Sequence, residues 1–334
     1  MKPLDARRVG WQGRAMDPRD SALADALRLA GTPRSREALP VIAQFASAGQ
    51  PDALYALAGF FWSGDPVPQD LPRGRELIWR AAVAGHRVAS IAYTNLLGNG
   101  VAGPRDWPEA LARLRREGST DPARARSLAL LESMSLTEEG EPTELPAERK
   151  LSDSPAVSLY PGAFTDEECA FLVAVAAPAL SPSLVGDGAG QEVRRQVRTS
   201  DDMTISWMME DPAVHAVNRR LAALSGTQPE QAEALLVLRY RPGQEYKPHV
   251  DWDGGENGRI ATALVYLNDD YEGGETLFVK TGLKVKGRKG DALVFRSAGT
   301  DGGFDPLSEH AGLPVRSGTK FLASRWIHAR RYAP

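Results

Sequence analysis

From Leu235 onward the chain breaks into short extended runs, and this constrains the fold more than any other feature. The runs are Leu235–Arg241, Tyr246–Val250, Ile260–Leu267, Thr276–Lys280, Leu283–Lys286, Ala292–Phe295 and Lys320–Ile327, with Gly-rich turns between them. Many short strands joined by turns imply a sandwich or a barrel. Two helices are expected to precede them and to pack on the outside of the sheet. The first runs from Glu167 to Ala177, with Thr165 as N-cap and Glu168 completing a capping box; the stretch Tyr160–Phe164 leads into it as strand and turn. The second opens at Asp211-Pro212, ends at Gly226, and lines one stripe with Val214, Val217, Leu221 and Leu224. His215 on that helix reads as structural.

Within the strand-rich stretch lie His249, Asp251 and, far along the chain, His310. Alternate residues of a strand share a face, so His249 and Asp251 can grip one ion if their segment is extended. A histidine from a distant strand completes a set of two histidines and one carboxylate. That set leaves coordination positions open, as non-haem Fe(II) oxygenases require. A hydrolytic zinc site would accept the same donors, but it needs a general base nearby and has no use for Lys320. Lys320 opens the apolar run that continues with Phe321 and Leu322, which points to a buried lysine with an anionic partner.

The N-terminal part has helical periodicity and an internal repeat. A shift of 36 positions superposes Ala46 on Ala82, Gly49 on Gly85, Ala53 on Ala89, Gly64 on Gly100, Asp70 on Asp106 and Pro72 on Pro108. Small residues let paired helices approach closely, glycines end one helix, and Asp-x-Pro opens the next. The loop Leu96-Leu-Gly-Asn-Gly100-Val101 resembles the turn of Sel-like repeats, relatives of tetratricopeptide repeats. Only two units are clear, so the array should lean on the rest of the chain. It serves either as a scaffold that buttresses the barrel or makes a dimer contact, or as a groove for a peptide, a protein partner or part of the substrate. The expected division is a helical repeat domain over residues 1–131, a charged proline-bearing linker over 132–152, and a catalytic domain over 153–334.

From about residue 155 to 330 the chain resembles the catalytic domain of the prolyl 4-hydroxylase family of Fe(II)/2-oxoglutarate-dependent dioxygenases. The resemblance is carried in order by Val197-Arg-Thr-Ser200, Arg239-Tyr240-x-x-Gly243-Gln-x-Tyr246-x-x-His249-x-Asp251, Arg259–Asn268, Gly273-Gly-Glu-Thr276-x-Phe278, Gly290–Phe295 and His310-x-Gly-x-Pro-Val-x-x-Gly-x-Lys320, with Trp326 beyond. It implies an α+β chain whose C-terminal half is a double-stranded β-helix, or jelly roll, with flanking helices and the metal at one mouth. It implies that His249, Asp251 and His310 hold Fe(II), and that Lys320 anchors the far carboxylate of 2-oxoglutarate with Thr276 and Tyr240 as helpers. Tyr246, Arg259 and Trp326 match positions lining the substrate pocket. Arg194, Arg195 and Arg198, in and beside a Gly-rich stretch from Val185 to Gln196 that reads as a lid, are further candidates for substrate contact. O2 is the second co-substrate, and ascorbate is expected to support activity. A carboxylate at position 251 favours hydroxylation over halogenation.

Net charge narrows the partners. At −3, the chain is a poor candidate for a nucleic-acid binder working through bulk electrostatics. A single cysteine, Cys169, permits no internal disulfide and fits a reducing compartment. The N-terminus lacks a signal-peptide pattern, and no stretch approaches the ~20 apolar residues of a membrane span, so a cytoplasmic protein is expected. Two substrates fit: a free cyclic amino acid such as L-proline or L-pipecolic acid, toward which the short Asp251-to-Arg259 connection leans, or a prolyl residue in a cytoplasmic protein. A repeat adaptor with an inactive barrel is the non-enzymatic alternative.

Overall fold

The computed structural model describes residues 18–186, 192–193, 197–299 and 303–333. The chain forms two compact units that divide between Glu117 and Gly118. Among the described residues no helix is long and apolar enough to cross a membrane.

The first unit is helical: α1 (Pro18–Ala30), α2 (Ser35–Ser47), α3 (Pro51–Ser63), α4 (Leu71–Val83), α5 (Arg87–Asn99) and α6 (Trp107–Gly118). Helices α2, α4 and α6 begin at Ser35, Leu71 and Trp107, and α3 and α5 at Pro51 and Arg87, so they recur on the 36-residue spacing of the sequence. The repeated residues do the same work in each unit. Asp70 and Asp106 accept the backbone N–H groups of Arg73 and Glu109 at the helix starts. Gly64 and Gly100 end α3 and α5 in the left-handed conformation, with φ of 77° and 70°. Ala53 and Ala89 are fully buried where neighbouring helices close together. Arg75 reaches the carbonyls of Val101 and Pro104 at 2.8 and 2.7 Å and so ties down the loop after α5.

The division falls earlier than the expected boundary at residue 131. Helix α7 (Pro122–Ser133) packs with the second unit, because Ser127 donates to Asp211 Oδ2 at 2.6 Å and Arg124 lies 3.6 Å from the same carboxylate. The expected linker is also partly structured: Arg219 hydrogen-bonds the Glu139 carbonyl, and residues 149–153 form a strand. A charged, proline-bearing composition does not reveal a segment whose backbone is captured by a buried arginine.

The second unit contains α7, α8 (Asp166–Ala176), α9 (Pro212–Ser225) and sixteen strands among the described residues. The strands are β1 (Arg149–Asp153), β2 (Ala156–Tyr160), β3 (Ser181–Pro182), β4 (Val185–Gly186), β5 (Glu192–Val193), β6 (Asp201–Ile205), β7 (Leu235–Tyr240) and β8 (Tyr246–His249). They continue with β9 (Arg259–Tyr266), β10 (Glu272–Gly273), β11 (Thr276–Phe278), β12 (Lys284–Val285), β13 (Ala292–Arg296), β14 (His310–Gly312), β15 (Val315–Ser317) and β16 (Lys320–His328). An antiparallel sheet of order β1-β2-β13-β9-β16-β7-β6-β3 packs against a smaller one of order β12-β11-β14-β8, the jelly-roll arrangement. Helices α8 and α9 precede the strand run that begins at Leu235, as expected, and the Thr165–Glu168 capping box is complete.

Strand periodicity sorts the large sheet into two faces. Leu235 and Val237, Ala261, Ala263 and Val265, and Ala323 and Ile327 share one core with α8 and α9. The alternate residues Leu236, Leu238 and Tyr240, Leu264 and Tyr266, Leu293 and Phe295, and Leu322 pack against Phe278, Val285 and Val315 on the far side. Each fully buried Leu or Phe contributes about 1.5–3 kcal/mol. The second face also carries Lys320 and Trp326 on β16 and Thr262 on β9, so the residues that interrupt its apolar lining form the site.

Candidate metal centre and co-substrate pocket

Register brings the two histidines together. Strand β14 pairs with β8 so that His310 lies opposite His249, and on its other side β11 sets Phe278 opposite His310. The two imidazole centroids are 4.3 Å apart. Tyr246 stacks on His249 at 3.5 Å, and Phe295 meets His310 edge-on at 4.6 Å. Strand β8 stops at His249, so Asp251 lies just past the ladder rather than on it. Its partner strand starts at His310, after a short 3-10 turn at Pro306–Ser308, and offers nothing for residues beyond His249 to pair with. Asp251 is held instead by β9: Thr262 donates to Oδ2 at 2.5 Å.

These three residues are the one His/Cys/Asp/Glu cluster with metal-ligand spacing among the described residues, their donor atoms all within 4.8 Å of one another. Asp251 Oδ1 lies 3.7 Å from His249 Nε2, and Oδ2 lies 3.5 Å from His310 Nε2. Ring orientation suits an ion at their centre. His249 Nδ1 faces the Lys247 carbonyl at 2.8 Å and His310 Nδ1 faces the Ser308 carbonyl at 3.0 Å. A proton on each Nδ1 satisfies those carbonyls and leaves both Nε2 lone pairs pointing inward. Burial, reinforced by His310, pushes the His249 imidazole toward its neutral, ligating form. Burial alone would favour protonated Asp251. The neighbouring imidazoles and hydrogen bonds from Thr262 and Trp326 outweigh it and hold the carboxyl below its usual range. The residues present therefore fit a divalent ion with open positions.

The triad borders a cleft of about 540 Å³, its open mouth included, which reaches down to Lys320. Lys320 is 3% exposed, and Nζ donates to the Gly274 carbonyl at 2.7 Å. Gly273 and Gly274 both have positive φ, 74° and 68°, which turns this carbonyl onto the lysine. The ammonium lies 5.7 and 5.6 Å from the ring centres of Tyr240 and Tyr266. Burial pushes its pKa down to about 8, with Glu275 working in the other direction. A buried ammonium with a carbonyl and two aromatic faces for company is poised for an anion.

Of the expected residues, Tyr240, Thr276, Tyr246, Trp326 and Arg198 line the same cleft. Arg259 does not. Its Nε donates to Glu233 at 2.6 Å, and its guanidinium lies over the Trp326 ring at 4.3 Å. Arg198 is also engaged, 2.7 Å from Asp202 and 5.6 Å from the Tyr246 ring centre. Arg194, Arg195 and the central part of the expected lid lie outside the described residues. Three residues escaped the sequence reading. Thr262 bonds Asp251, and Tyr266 lies 3.4 Å from Thr276 through its hydroxyl. Glu233 pairs Arg259 and also meets His328 at 3.0 Å. For Thr262 and Tyr266 the available signal was strand alternation, which puts both on the face of Lys320 and Trp326.

A facial set of two histidines and a carboxylate above a buried cation defines an oxygenase-type site. The sequence profile of the 2OG-Fe(II) oxygenase superfamily matches residues 235–328. The chain is 38% identical to prolyl 4-hydroxylase 1 of Arabidopsis thaliana over 203 residues, 54% of this chain and 71% of that protein. It is 37% identical to probable prolyl 4-hydroxylase 7 of the same plant over 210 residues, 55% of this chain and 66% of the relative. Among solved structures it is similar to the viral collagen prolyl hydroxylase vCPH from Paramecium Bursaria Chlorella virus-1 in its 2OG complex. That match has 28% identity, covers 52% of this chain and 96% of the other, and has a TM-score of 0.43. The chain belongs to the 2OG-Fe(II) oxygenase superfamily, in its prolyl 4-hydroxylase-like branch. It is an Fe(II)- and 2-oxoglutarate-dependent dioxygenase.

Proposed function

We propose that this enzyme hydroxylates a prolyl residue within a peptide or protein. The observation that carries the choice of substrate is the state of Arg259. A free amino acid brings a carboxylate that needs a cation, and Arg259 is the basic residue matched to the substrate pocket. That charge is already taken by Glu233 at 2.6 Å and capped by Trp326. The arginine that does line the cleft, Arg198, is spent on Asp202. Lys320 is then the remaining cation of the described cleft lining, and it is needed by the co-substrate. A peptide-bound proline makes no such demand. The names of the relatives, prolyl 4-hydroxylases, support the same reading.

Each residue takes a role consistent with its surroundings. His249, Asp251 and His310 hold Fe(II), which with 2-oxoglutarate and O2 supplies the oxidation that replaces a C–H hydrogen by hydroxyl. The carbonyls of Lys247 and Ser308 keep the imidazoles in the ligating tautomer, and Thr262 and Trp326 keep Asp251 ionised. Lys320 neutralises the far carboxylate of 2-oxoglutarate, with the Thr276 and Tyr240 hydroxyls beside it; as a point charge it needs such helpers more than an arginine fork would. Tyr246 and Trp326 form an aromatic wall that suits a saturated ring. The helical unit, which we propose to be an array of Sel-like repeats, serves as scaffold.

The test is aerobic turnover with Fe(II), ascorbate and 2-oxoglutarate, offering a proline-containing peptide, L-proline and L-pipecolic acid together. Mass spectrometry should find one added oxygen on the peptide. Oxygen on a free amino acid alone would reject the peptidyl reading.

A further inference from the structure

Apolar side chains gather on segments next to the triad residues without lining the cleft. Val250 and Phe304 are 40% and 41% exposed. Val250 and Trp252 flank Asp251 directly in the chain, and the rings of Trp252 and Phe304 lie 6.4 Å apart. Val279, also exposed, has its N–H bonded to the carbonyl of Glu309, next to His310. Singly exposed apolar residues need no explanation, but a cluster at one place marks a contact surface.

Both rings stand on fixed backbone. Asp253 turns back on its own loop, where Oδ1 accepts the N–H of Arg259 at 3.2 Å. Asn257 ties the same loop to the Arg331 carbonyl at 3.0 Å. Phe304 is bridged to Ala298, and Gly299 donates to the Gly303 carbonyl at 2.8 Å. Two separate chain segments thus present an aromatic pair, one ring of which follows Asp251 directly in the chain.

The occupant follows from continuity with the cleft. If a prolyl ring enters beside Asp251, its chain neighbours must pass over the mouth, each about 3.3–3.6 Å further along. We infer that Trp252 and Phe304, with Val250, form an apolar rim that selects a large apolar side chain close to the target proline. This rests on the peptidyl-prolyl reading above.

The test uses the full-length holoenzyme and a set of proline peptides identical except at the residues flanking proline, which are Leu or Phe in one half and Ser or Lys in the other. Apolar-flanked peptides should be preferred in kcat/KM by about tenfold, a step typical of filling a hydrophobic pocket. Phe304→Ser should erase most of that preference by raising KM for the apolar-flanked peptides, and Phe304→Leu should restore part of it. Equal turnover of all peptides, or a preference that survives Phe304→Ser, overturns the rim while leaving the peptidyl-prolyl reading intact. A change in sedimentation with an unchanged preference would make the rim a contact between copies of this chain and also overturns it. Hydroxylation of no peptide overturns the peptidyl-prolyl reading, and the rim with it.

Discussion

The two ends of β16 handle positive charge in opposite ways. At one end Lys320 is enclosed by Gly274, Tyr240 and Tyr266, with a carbonyl oxygen as its hydrogen-bond acceptor among the described residues. At the other end, about 20 Å away at strand rise, Arg259 covers Trp326 and is neutralised by Glu233. A buried cation without a carboxylate is costly unless a ligand supplies one. A half-buried cation already paired with a carboxylate is a structural element. The difference separates a residue waiting for an anion from one that shapes a wall, although both are basic residues on β-strands.

The largest effect should come from the triad between these ends. Asp251→Ala leaves two histidines without a charged partner; we expect hydroxylation to fall to background and iron affinity to drop by about 100-fold or more. Metal titration and product analysis on one sample check both, and retained turnover would show that the ligand set is wrong.

A pH series separates the two cations next. Lys320 has a folded-state pKa near 8, below the ordinary 10.5, so between those values the unfolded chain binds more protons than the folded one. Stability of the ligand-free protein should therefore rise with pH across this window, by roughly 3 kcal/mol in all. Co-substrate affinity should move the other way. It depends on the charged lysine, is complete below about 8, and weakens above it. Denaturant melts and 2-oxoglutarate titrations at the same pH values test the opposed slopes; parallel slopes would remove Lys320 from the binding site. Arg259, whose pKa is raised because its hydrogen bond and attraction to Glu233 overcome the cost of burial, should contribute no slope in this range.

The smallest effect should follow Glu233→Ala. It strands a partly exposed arginine, so a stability loss of about 1–3 kcal/mol is expected, read by chemical denaturation. Its functional effect should fall on peptide KM rather than on 2-oxoglutarate, because Arg259 and Trp326 form a wall away from Lys320. A raised KM for 2-oxoglutarate would erase the distinction between the two ends.

Much of this was legible in the sequence, and for physical reasons. Tyr240 and Lys320 were expected in the pocket from the family resemblance, and period-two alternation along β7 and β16 explains why they share the cleft face. The cap residues Thr165, Asp70 and Asp106 announce helix starts because they replace missing backbone acceptors locally. Ion pairing across the fold left no such local mark. Nothing near Arg259 in the chain points to Glu233, on another segment, and nothing near residue 131 shows that Ser127 and Arg124 bind Asp211. Asp251 was correctly grouped with His249, yet it is Thr262 on a neighbouring strand, rather than shared strand geometry, that holds it.

The most direct measurement is an anaerobic titration of 2-oxoglutarate into the metal-loaded protein, comparing wild type, Lys320→Ala and Arg259→Ala. We expect Lys320→Ala to lose roughly 3–5 kcal/mol of binding, the cost of leaving a buried charge without its partner, while Arg259→Ala binds the co-substrate as wild type does. Unchanged affinity in Lys320→Ala, or an equal loss in Arg259→Ala, would contradict the account.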